Sequence, residues 1–117
     1  MLVDDDVTFL KTVEKLLQKE DYECSAYLSA KEAVEKVKGE EFDLIISDIR
    51  MPGKNGVEAM KEIREFYRSN SKRKDVPVIF ITGYAKESLL LHADNLGEVI
   101  IKPFDKDRFL MTIREYL

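Results

Sequence analysis

The sequence predicts an α/β protein in which a parallel sheet is covered by helices on both faces. Two observations carry this prediction. Short apolar runs alternate with amphipathic helical periods five times along the 117 residues, and the middle runs, such as "LII" and "VIFI", are apolar at nearly every position. Strands that are apolar on both sides are typical of a sheet buried on both faces. Strict alternation of strands and helices favours right-handed crossovers between parallel strands.

Each strand is expected to be followed by a helix. The strands are predicted at 1–4, 23–28, 42–47, 76–82 and 98–102. Asp6 is a candidate N-cap of the first helix, and "SAKE" at 29–32 has capping-box spacing before the second. Gly39 and Gly97 are candidate terminators of the second and fourth helices.

Apolar periodicity predicts which face of each helix is buried. In chain order, the buried positions are expected to be Phe9, Val13, Leu16 and Leu17; Ala33, Val34 and Val37; Val57, Met60, Ile63 and either Phe66 or Tyr67; Leu89, Leu90 and Ala93; and Phe109, Leu110, Ile113 and Leu117. Three consecutive leucines at 89–91 cannot all face one core, so at least one of them is expected at the boundary or on the surface.

Composition narrows the functional classes. A chain of 117 residues and 13.6 kDa predicts a single domain. A net charge of -4 argues against nonspecific binding to nucleic acid or to an anionic membrane surface. No apolar stretch has the length of a bilayer span, and the N-terminus lacks the pattern of a signal peptide, so the cytoplasm is the expected compartment. The single cysteine, Cys24, has no metal or redox motif around it and is expected to pack as a small strand residue.

Polar residues stand where the predicted strands end. These are Asp4, Asp5 and Asp6 after the first strand, Asp48 after the third, Thr82 and Gly83 at the fourth, and Lys102 and Pro103 at the fifth. If these strands are neighbours, several carboxylates meet a hydroxyl and an ammonium at one edge of the sheet. Crowded carboxylates require protonation or a cation, and oxygen ligands without histidine or thiol favour Mg²⁺. Lysine and hydroxyl groups opposite a metal suit a phosphoryl group, so Asp48 is expected to be a metal ligand, a nucleophile toward phosphorus, or both.

Four motifs resemble those of the receiver domain of two-component response regulators. They are "VDDD" at 3–6, "SDIRMPGKNG" at 47–56, "FITGYA" at 80–85 and "IIKPF" at 100–104, in the family's order and on the expected elements. The resemblance covers essentially the whole chain. It implies a flavodoxin-like, doubly wound sheet of five parallel strands in the order 2-1-3-4-5.

The resemblance also implies the roles of the site residues. Asp48 is expected to accept a phosphoryl group from the phosphohistidine of a histidine kinase or phosphotransfer protein. Asp5 is expected to bind Mg²⁺ (or Mn²⁺) directly and Asp4 mostly through water. Further ligands are expected to be Asp48 and the backbone carbonyl of Arg50. Phosphoryl oxygens are expected at Thr82 and Lys102, and Lys102-Pro103 resembles the family's cis peptide.

As implied by the family, the chain is a switch that promotes its own phosphorylation and dephosphorylation, rather than a turnover enzyme. Residues 1–117 are expected to be a receiver domain with no output domain. Readout is expected on the face formed by the fourth helix, fifth strand and fifth helix, where a downstream protein or a second copy would bind. Val99 departs from the family, since many receivers have an aromatic residue there. Activation is therefore expected to pass mainly through the backbone of 83–86, for which Gly83 supplies freedom.

Three competing functions fit the residues less well. An aspartyl-phosphate phosphohydrolase often has a second aspartate two positions after its nucleophile, where this chain has Arg50. A flavin-binding electron carrier would need a phosphate-binding loop after the first strand, where three aspartates would repel the flavin phosphate. A degenerate receiver that only binds partners is disfavoured by the intact set of site residues. The lone His92 is expected to be a surface or boundary residue, and the basic run 72–74 is expected to be a solvated connector.

Overall fold

Strands and helices alternate along the chain in the parts that the computed structural model describes, which are residues 1–70, 75–83 and 87–117, with the backbone alone described at 87–89. The elements are β1 (Leu2–Val3), α1 (Val7–Lys19), β2 (Ala26–Tyr27), α2 (Ala30–Gly39), β3 (Ile45–Ser47), α3 (Gly56–Ser69), β4 (Val78–Thr82), α4 (Glu87–Leu96), β5 (Glu98–Ile101) and α5 (Lys106–Tyr116). The basic run 72–74, which is expected to be a solvated connector, lies outside the described residues.

All strand pairs in the sheet are parallel, and the strand order is β2-β1-β3-β4-β5, which confirms the predicted fold. Val3 of β1 lies between Tyr27 of β2 and Ser47 of β3, and Thr82 of β4 lies beside Ile101 of β5. This register brings the carboxyl ends of neighbouring strands to one edge.

The paired strands are shorter than the sequence predicts. β2 and β3 occupy only the last parts of the predicted runs 23–28 and 42–47. Ladder pairing requires a neighbouring strand, and β1 offers only two residues to both neighbours. Cys24 accordingly precedes β2 as a half-buried residue rather than lying within it, which corrects the expectation that it is a strand residue.

Strand residues alternate between two hydrophobic clusters, one on each face of the sheet. Ile45 belongs to the cluster packed against α2, α3 and α4, and the adjacent Ile46 belongs to the cluster packed against α1 and α5. We call these the α2–α4 face and the α1–α5 face. In β4, Phe80 and Ile81 divide between the two faces in the same way. The continuous apolar runs of the sequence therefore correspond to burial on both faces.

Most predicted helix faces are buried, with two corrections. In α1 the buried residues are Leu10, Val13 and Leu17, whereas the expected Phe9 and Leu16 are half-buried. Leu117 is 53% exposed and not part of the core, because it follows the end of α5.

The remaining expectations for the helices are resolved individually. Tyr67, rather than Phe66, is the buried aromatic of α3. In α4, Ala93 is buried and Leu90 is half-buried, while Leu91 is 62% exposed, as the leucine triplet predicts. The side chain of Leu89 lies outside the described residues. His92 is exposed, in agreement with its assignment to the surface.

Helix caps follow the sequence signals closely. The Asp6 carboxylate accepts a hydrogen bond from the Phe9 N–H at 3.1 Å, which confirms it as the α1 N-cap. Ser29 caps α2 through the Glu32 N–H, but the Glu32 carboxylate accepts from the Leu28 N–H instead of returning to Ser29. A complete capping box instead joins Asn55 and Glu58 at the start of α3, directly after the loop that connects β3 to α3.

Gly39 is the last residue of α2, and Gly97 follows α4 directly, as predicted. None of the helices in the described ranges combines the length and apolar character that crossing a bilayer requires.

Candidate phosphoacceptor site

Four strand ends position the predicted site residues at one edge of the sheet. Asp4 follows β1, Asp48 follows β3, Thr82 ends β4 and Lys102 follows β5. Because these strands are parallel neighbours, their polar terminal residues meet although they are far apart in sequence. The Lys102 N–H donates a backbone hydrogen bond to the Thr82 carbonyl at 2.8 Å, which continues the pairing of β4 and β5 into the site.

Three carboxylates converge at this edge. One ligand oxygen from each of Asp4, Asp5 and Asp48 lies within 4.8 Å of the others. Asp4 is buried, Asp48 is half-buried and Asp5 is exposed. Among the residues that the structure describes, this is the only cluster of three groups of the metal-ligating type. Asp6 is not part of this cluster, and its carboxylate caps α1 instead.

Burial and the charges of neighbouring carboxylates disfavour ionisation of Asp4 and Asp48. Burial raises the pKa of Asp48, and the charge of Asp4 raises it further, while Lys102 and the N–H groups of Ile49 and Arg50 oppose the shift. Burial also raises the pKa of Asp4, against the opposing effects of the Asp6 N–H and Lys102. The site is thus short of positive charge, which a cation would supply.

The backbone around Asp48 is held closely by its neighbours. The Asp48 carboxylate accepts a hydrogen bond from the Ile49 N–H at 2.7 Å, and its carbonyl accepts one from the Ser47 hydroxyl at 2.8 Å. The Gly56 N–H donates to the Ile49 carbonyl at 2.8 Å. A Cβ added at Gly56 would lie 2.1 Å from the Asp48 carbonyl oxygen, so the first turn of α3 requires glycine in order to approach so closely. No local pattern in the sequence distinguishes this role of Gly56 from that of an ordinary turn glycine, so it was not predicted from the sequence.

Lys102 reaches across the carboxylates from β5. Its Nζ lies 3.2 Å from Asp4 Oδ2 and 3.7 Å from Asp48 Oδ2. The Lys102-Pro103 peptide is cis, as the resemblance implied. The same Nζ lies 3.9 Å from the centre of the Phe9 ring. Phe9 was expected only as a core residue. The apolar periodicity of α1 predicts burial, but it does not predict which side chain the Phe9 ring contacts.

An open cleft of about 740 Å³ lies over the site. Its lining includes Asp5, Asp48, Arg50, Met51, Pro52, Gly53, Asn55, Thr82 and Gly83. Thr82 is buried against it, and Gly83 is exposed. A groove of about 820 Å³ at the opposite edge of the sheet is lined by many acidic side chains and by none of the predicted site residues. Of the predicted set, Asp5, Asp48, Arg50, Thr82 and Gly83 therefore line the smaller cleft.

Val99 is half-buried in β5, where it pairs with Phe80 and packs against the α2–α4 face. Of the backbone expected to transmit activation, Gly83 is described, and residues 84–86 lie outside the described part of the chain.

Comparison with known proteins agrees with this architecture. Residues 1–114 match the family model described as "Response regulator receiver domain". The chain is 33% identical over 119 residues to the transcriptional regulatory protein ZraR of Klebsiella oxytoca, covering 100% of this chain and 26% of that protein. It is 32% identical to the transcriptional regulatory protein CrdR of Helicobacter pylori, covering 98% of this chain and 53% of that protein. The chain thus spans about a quarter to a half of the length of these curated relatives.

Solved structures show the same fold. The response regulator TrrA of Thermotoga maritima, solved in complex with Mg²⁺-BeF, is 31% identical with a TM-score of 0.84, covering 99% of this chain and 96% of that chain. A CheY-like receiver domain protein of Methanospirillum hungatei is 28% identical with a TM-score of 0.85, covering 97% and 88% of the two chains. Since the family model spans nearly the whole chain, including the four strand ends of the site, the chain belongs to the response regulator receiver domains, the phosphoryl-accepting modules of two-component signalling.

Proposed function

We propose that residues 1–117 act as one receiver unit in which Asp48 carries the phosphoryl group. The observation that supports this assignment most directly is the convergence of three carboxylates with one ammonium at the carboxyl edge of the sheet. Asp48 lines the cleft and is only half-buried, whereas Asp4 is buried, so Asp48 is the inner carboxylate that a phosphoryl donor can reach.

The transfer proceeds by attack of an Asp48 carboxylate oxygen on phosphorus. The P–N bond of the donor phosphohistidine breaks, and its electron pair stays on the imidazole nitrogen of the kinase or phosphotransfer protein. The product on this chain is an acyl phosphate. The Thr82 hydroxyl donates to one phosphoryl oxygen, and Lys102 pairs with another, which stabilises the charge on the transferred group.

Mg²⁺ (or Mn²⁺) is the cofactor that the residues fit. Carboxylates without a neighbouring histidine or thiol suit a hard divalent cation. Burial raises the pKa of Asp4 and of Asp48, and a cation beside them would favour their charged forms. The Mg²⁺-BeF complex of the Thermotoga maritima relative supports the same choice. Asp4, Asp5, Asp48 and the Arg50 carbonyl are the proposed ligands. When bound, the ion supplies positive charge beside the phosphoryl oxygens.

The unit is proposed to be a switch rather than a turnover enzyme, because the residue that reacts also retains the product. It promotes its own phosphorylation from a donor and its own loss of the phosphoryl group to water. Its partners are proposed to be a histidine kinase or phosphotransfer protein, and a downstream protein or second copy bound at α4, β5 and α5. Direct contact with nucleic acid is not proposed for this unit, although the relatives ZraR and CrdR are named transcriptional regulators.

Intact-mass measurement tests the assignment. The protein is incubated with Mg²⁺ and acetyl phosphate, and we expect one labile phosphoryl adduct. The adduct should be absent from Asp48→Asn and from wild-type protein in excess chelator. Asp5→Ala should also lack it while retaining the folded circular dichroism spectrum, because Asp5 is exposed and contributes little to the core.

Persistence of the adduct in Asp48→Asn would refute the phosphoacceptor assignment. Undiminished phosphorylation of Asp5→Ala, or of wild-type protein without divalent ions, would refute the proposed metal site instead. Asp6→Asn is the matched control, since Asp6 adjoins the cluster in sequence but caps α1, and asparagine is an equally good cap.

A further inference from the structure

We propose that Phe9 is a positioning residue for Lys102, whose ring holds the lysine ammonium beside Asp4 and Asp48, ready to meet an incoming phosphoryl group. The kinetic consequence of this contact rests on the proposed function of Asp48. The contact itself does not, and the two are tested separately.

The geometry gives the Lys102 ammonium three partners at once. Its Nζ lies over the Phe9 ring at 3.9 Å from the centre, 3.2 Å from Asp4 Oδ2 and 3.7 Å from Asp48 Oδ2. A cation within about 6 Å of an aromatic centre is attracted by the negative face of the ring. The Lys102 side chain is 23% exposed, so the contact lies where solvent screens it only in part.

The Phe9 ring is itself held in place by other aromatic residues. It meets Phe104 edge-on, with ring centres 6.0 Å apart and an interplanar angle of 86°. Phe104 packs in turn on Phe109, which is buried in α5, at 4.7 Å. The N–H of Phe9 is fixed by the Asp6 cap at the start of α1. The ring is therefore supported both by its own helix and by the α1–α5 face.

A held ammonium matters because lysine has a flexible four-carbon stem and a strongly hydrated charge. Without the ring, Lys102 keeps its carboxylate partners but loses the attraction of the aromatic face, and it samples positions toward solvent more often. Positioning of a charged group before the reaction lowers the barrier to phosphoryl transfer. A cation–π contact at a partly exposed site corresponds to roughly a two- to fivefold effect on such a population.

The simpler alternative is that Phe9 only fills space on the α1–α5 face. The two roles separate in substitutions that keep or remove the ring. Phe9→Leu keeps an apolar side chain but has no ring, whereas Phe9→Tyr retains an aromatic face. Phe104→Leu is the packing control, because it removes the edge-on neighbour of Phe9 and leaves the ring that faces the lysine.

The contact is tested by NMR on the unphosphorylated, metal-free protein with ¹³Cε-labelled lysine. The Lys102 signal is assigned by its loss in Lys102→Arg. We expect its Hε protons to be shifted upfield by the ring current, the shift to vanish in Phe9→Leu, and the shift to remain in Phe9→Tyr. An unshifted wild-type signal, or a shift that survives Phe9→Leu, overturns the proposal.

The consequence is tested by the initial rate of phosphorylation with acetyl phosphate at saturating Mg²⁺. We expect Phe9→Leu to be roughly two- to fivefold slower, with the Mg²⁺ concentration dependence unchanged and the rate restored in Phe9→Tyr. Equal slowing by Phe9→Tyr, or by Phe104→Leu with the lysine shift intact, would show that packing alone accounts for the effect and would overturn the positioning role. Phosphorylation that persists in Asp48→Asn would refute the phosphoacceptor assignment, and the NMR measurement would still decide the contact.

Discussion

The surroundings of Asp4 and Asp48 disfavour the ionised form of both carboxyl groups. Burial raises the pKa of both above the ordinary value of 3.8, and the charge of Asp4 contributes to the shift of Asp48. Between the ordinary and the raised pKa, the folded state binds more protons than the unfolded state. The free energy of unfolding contributed by these groups therefore falls as the pH rises through that interval, and it stays lower above it.

The direction of this pH dependence predicts that Asp48→Asn stabilises the metal-free protein at neutral pH, because the substitution removes a charge that folding must bury. We expect its melting temperature to exceed that of the wild type in chelator. The gain should shrink as the pH is lowered through the interval, where the wild-type carboxyl becomes neutral too. Thermal unfolding at a series of pH values measures this, with the exposed Asp94→Asn as control. A gain that does not vary with pH would contradict the electrostatic explanation.

Gly56 shows how a residue without a side chain controls the site. An added Cβ would lie 2.1 Å from the Asp48 carbonyl oxygen, so Gly56→Ala must push the Asp48 backbone or the start of α3 aside. We expect a loss of about 1–3 kcal/mol in the free energy of unfolding, together with slower phosphorylation. Chemical denaturation and acetyl phosphate kinetics measure the two effects.

Gly39→Ala is the matched control, since nothing lies within 4 Å of a Cβ at that position. We expect it to be neutral or to stabilise α2 by up to about 1 kcal/mol. Similar losses in the two variants would show that the close approach to Asp48 is not the cause.

At the scale of elements, β5 joins the site to the α2–α4 face. Val99 is half-buried there, and valine is too short and too stiff at χ1 to make the swing of an aromatic side chain. Gly83 follows β4, and a Cβ added to it would meet the Cβ and Cδ of Lys102 at 3.9 Å, which is ordinary contact. A larger side chain at Gly83 would thus fill the space beside the lysine stem and restrict the loop.

We predict that Val99→Ala costs on the order of 1 kcal/mol in stability but leaves the response to phosphorylation nearly unchanged. Gly83→Val is expected to do the reverse, uncoupling phosphorylation from the response of α4, β5 and α5. Amide chemical-shift changes on adding acetyl phosphate report this response in both variants. Equal uncoupling by Val99→Ala would show that the valine carries the switch.

For the molecule as a whole, exposed apolar side chains mark the expected readout face. Leu91 in α4, Ile101 in β5 and Met111 in α5 are 62%, 53% and 59% exposed. Singly exposed apolar residues are common on protein surfaces, so the functional claim needs its own test. The test is whether phosphorylation changes what this face binds.

We predict that Leu91→Asn weakens phosphorylation-dependent self-association or capture of a downstream partner. The physical reason is the loss of apolar area that binding would bury. Sedimentation velocity with and without acetyl phosphate measures self-association, and Leu28→Asn, at a 47% exposed leucine after β2, is the control. Chemical-shift changes that cluster on α2 and α3 instead would place the readout elsewhere.

The features of this protein that could be predicted are those that short-range patterns in the sequence encode. The alternation of apolar runs and helical periods predicts the number and order of elements, because periodicity records which side chains are buried. Strand ends can be located in the same way, and the carboxyl ends of parallel strands share one edge, so Asp4, Asp48, Thr82 and Lys102 could be assigned to one edge. The strand order that makes them neighbours came from the family resemblance. The Asp6 cap was likewise predictable, because a cap acts within one turn of its own helix.

Tertiary packing decided the features that depend on distances between elements. The approach of Gly56 to the Asp48 carbonyl depends on how α3 meets the end of β3, and no local period encodes a separation of atoms. The ring of Phe9 lies over Lys102 only because α1 and α5 pack on the same face of the sheet and Phe104 supports the ring between them. Tertiary packing also decided how many residues of each strand are paired and how far Leu117 is buried. Strand pairing and burial both require a neighbouring element, and the local sequence does not specify which element that is.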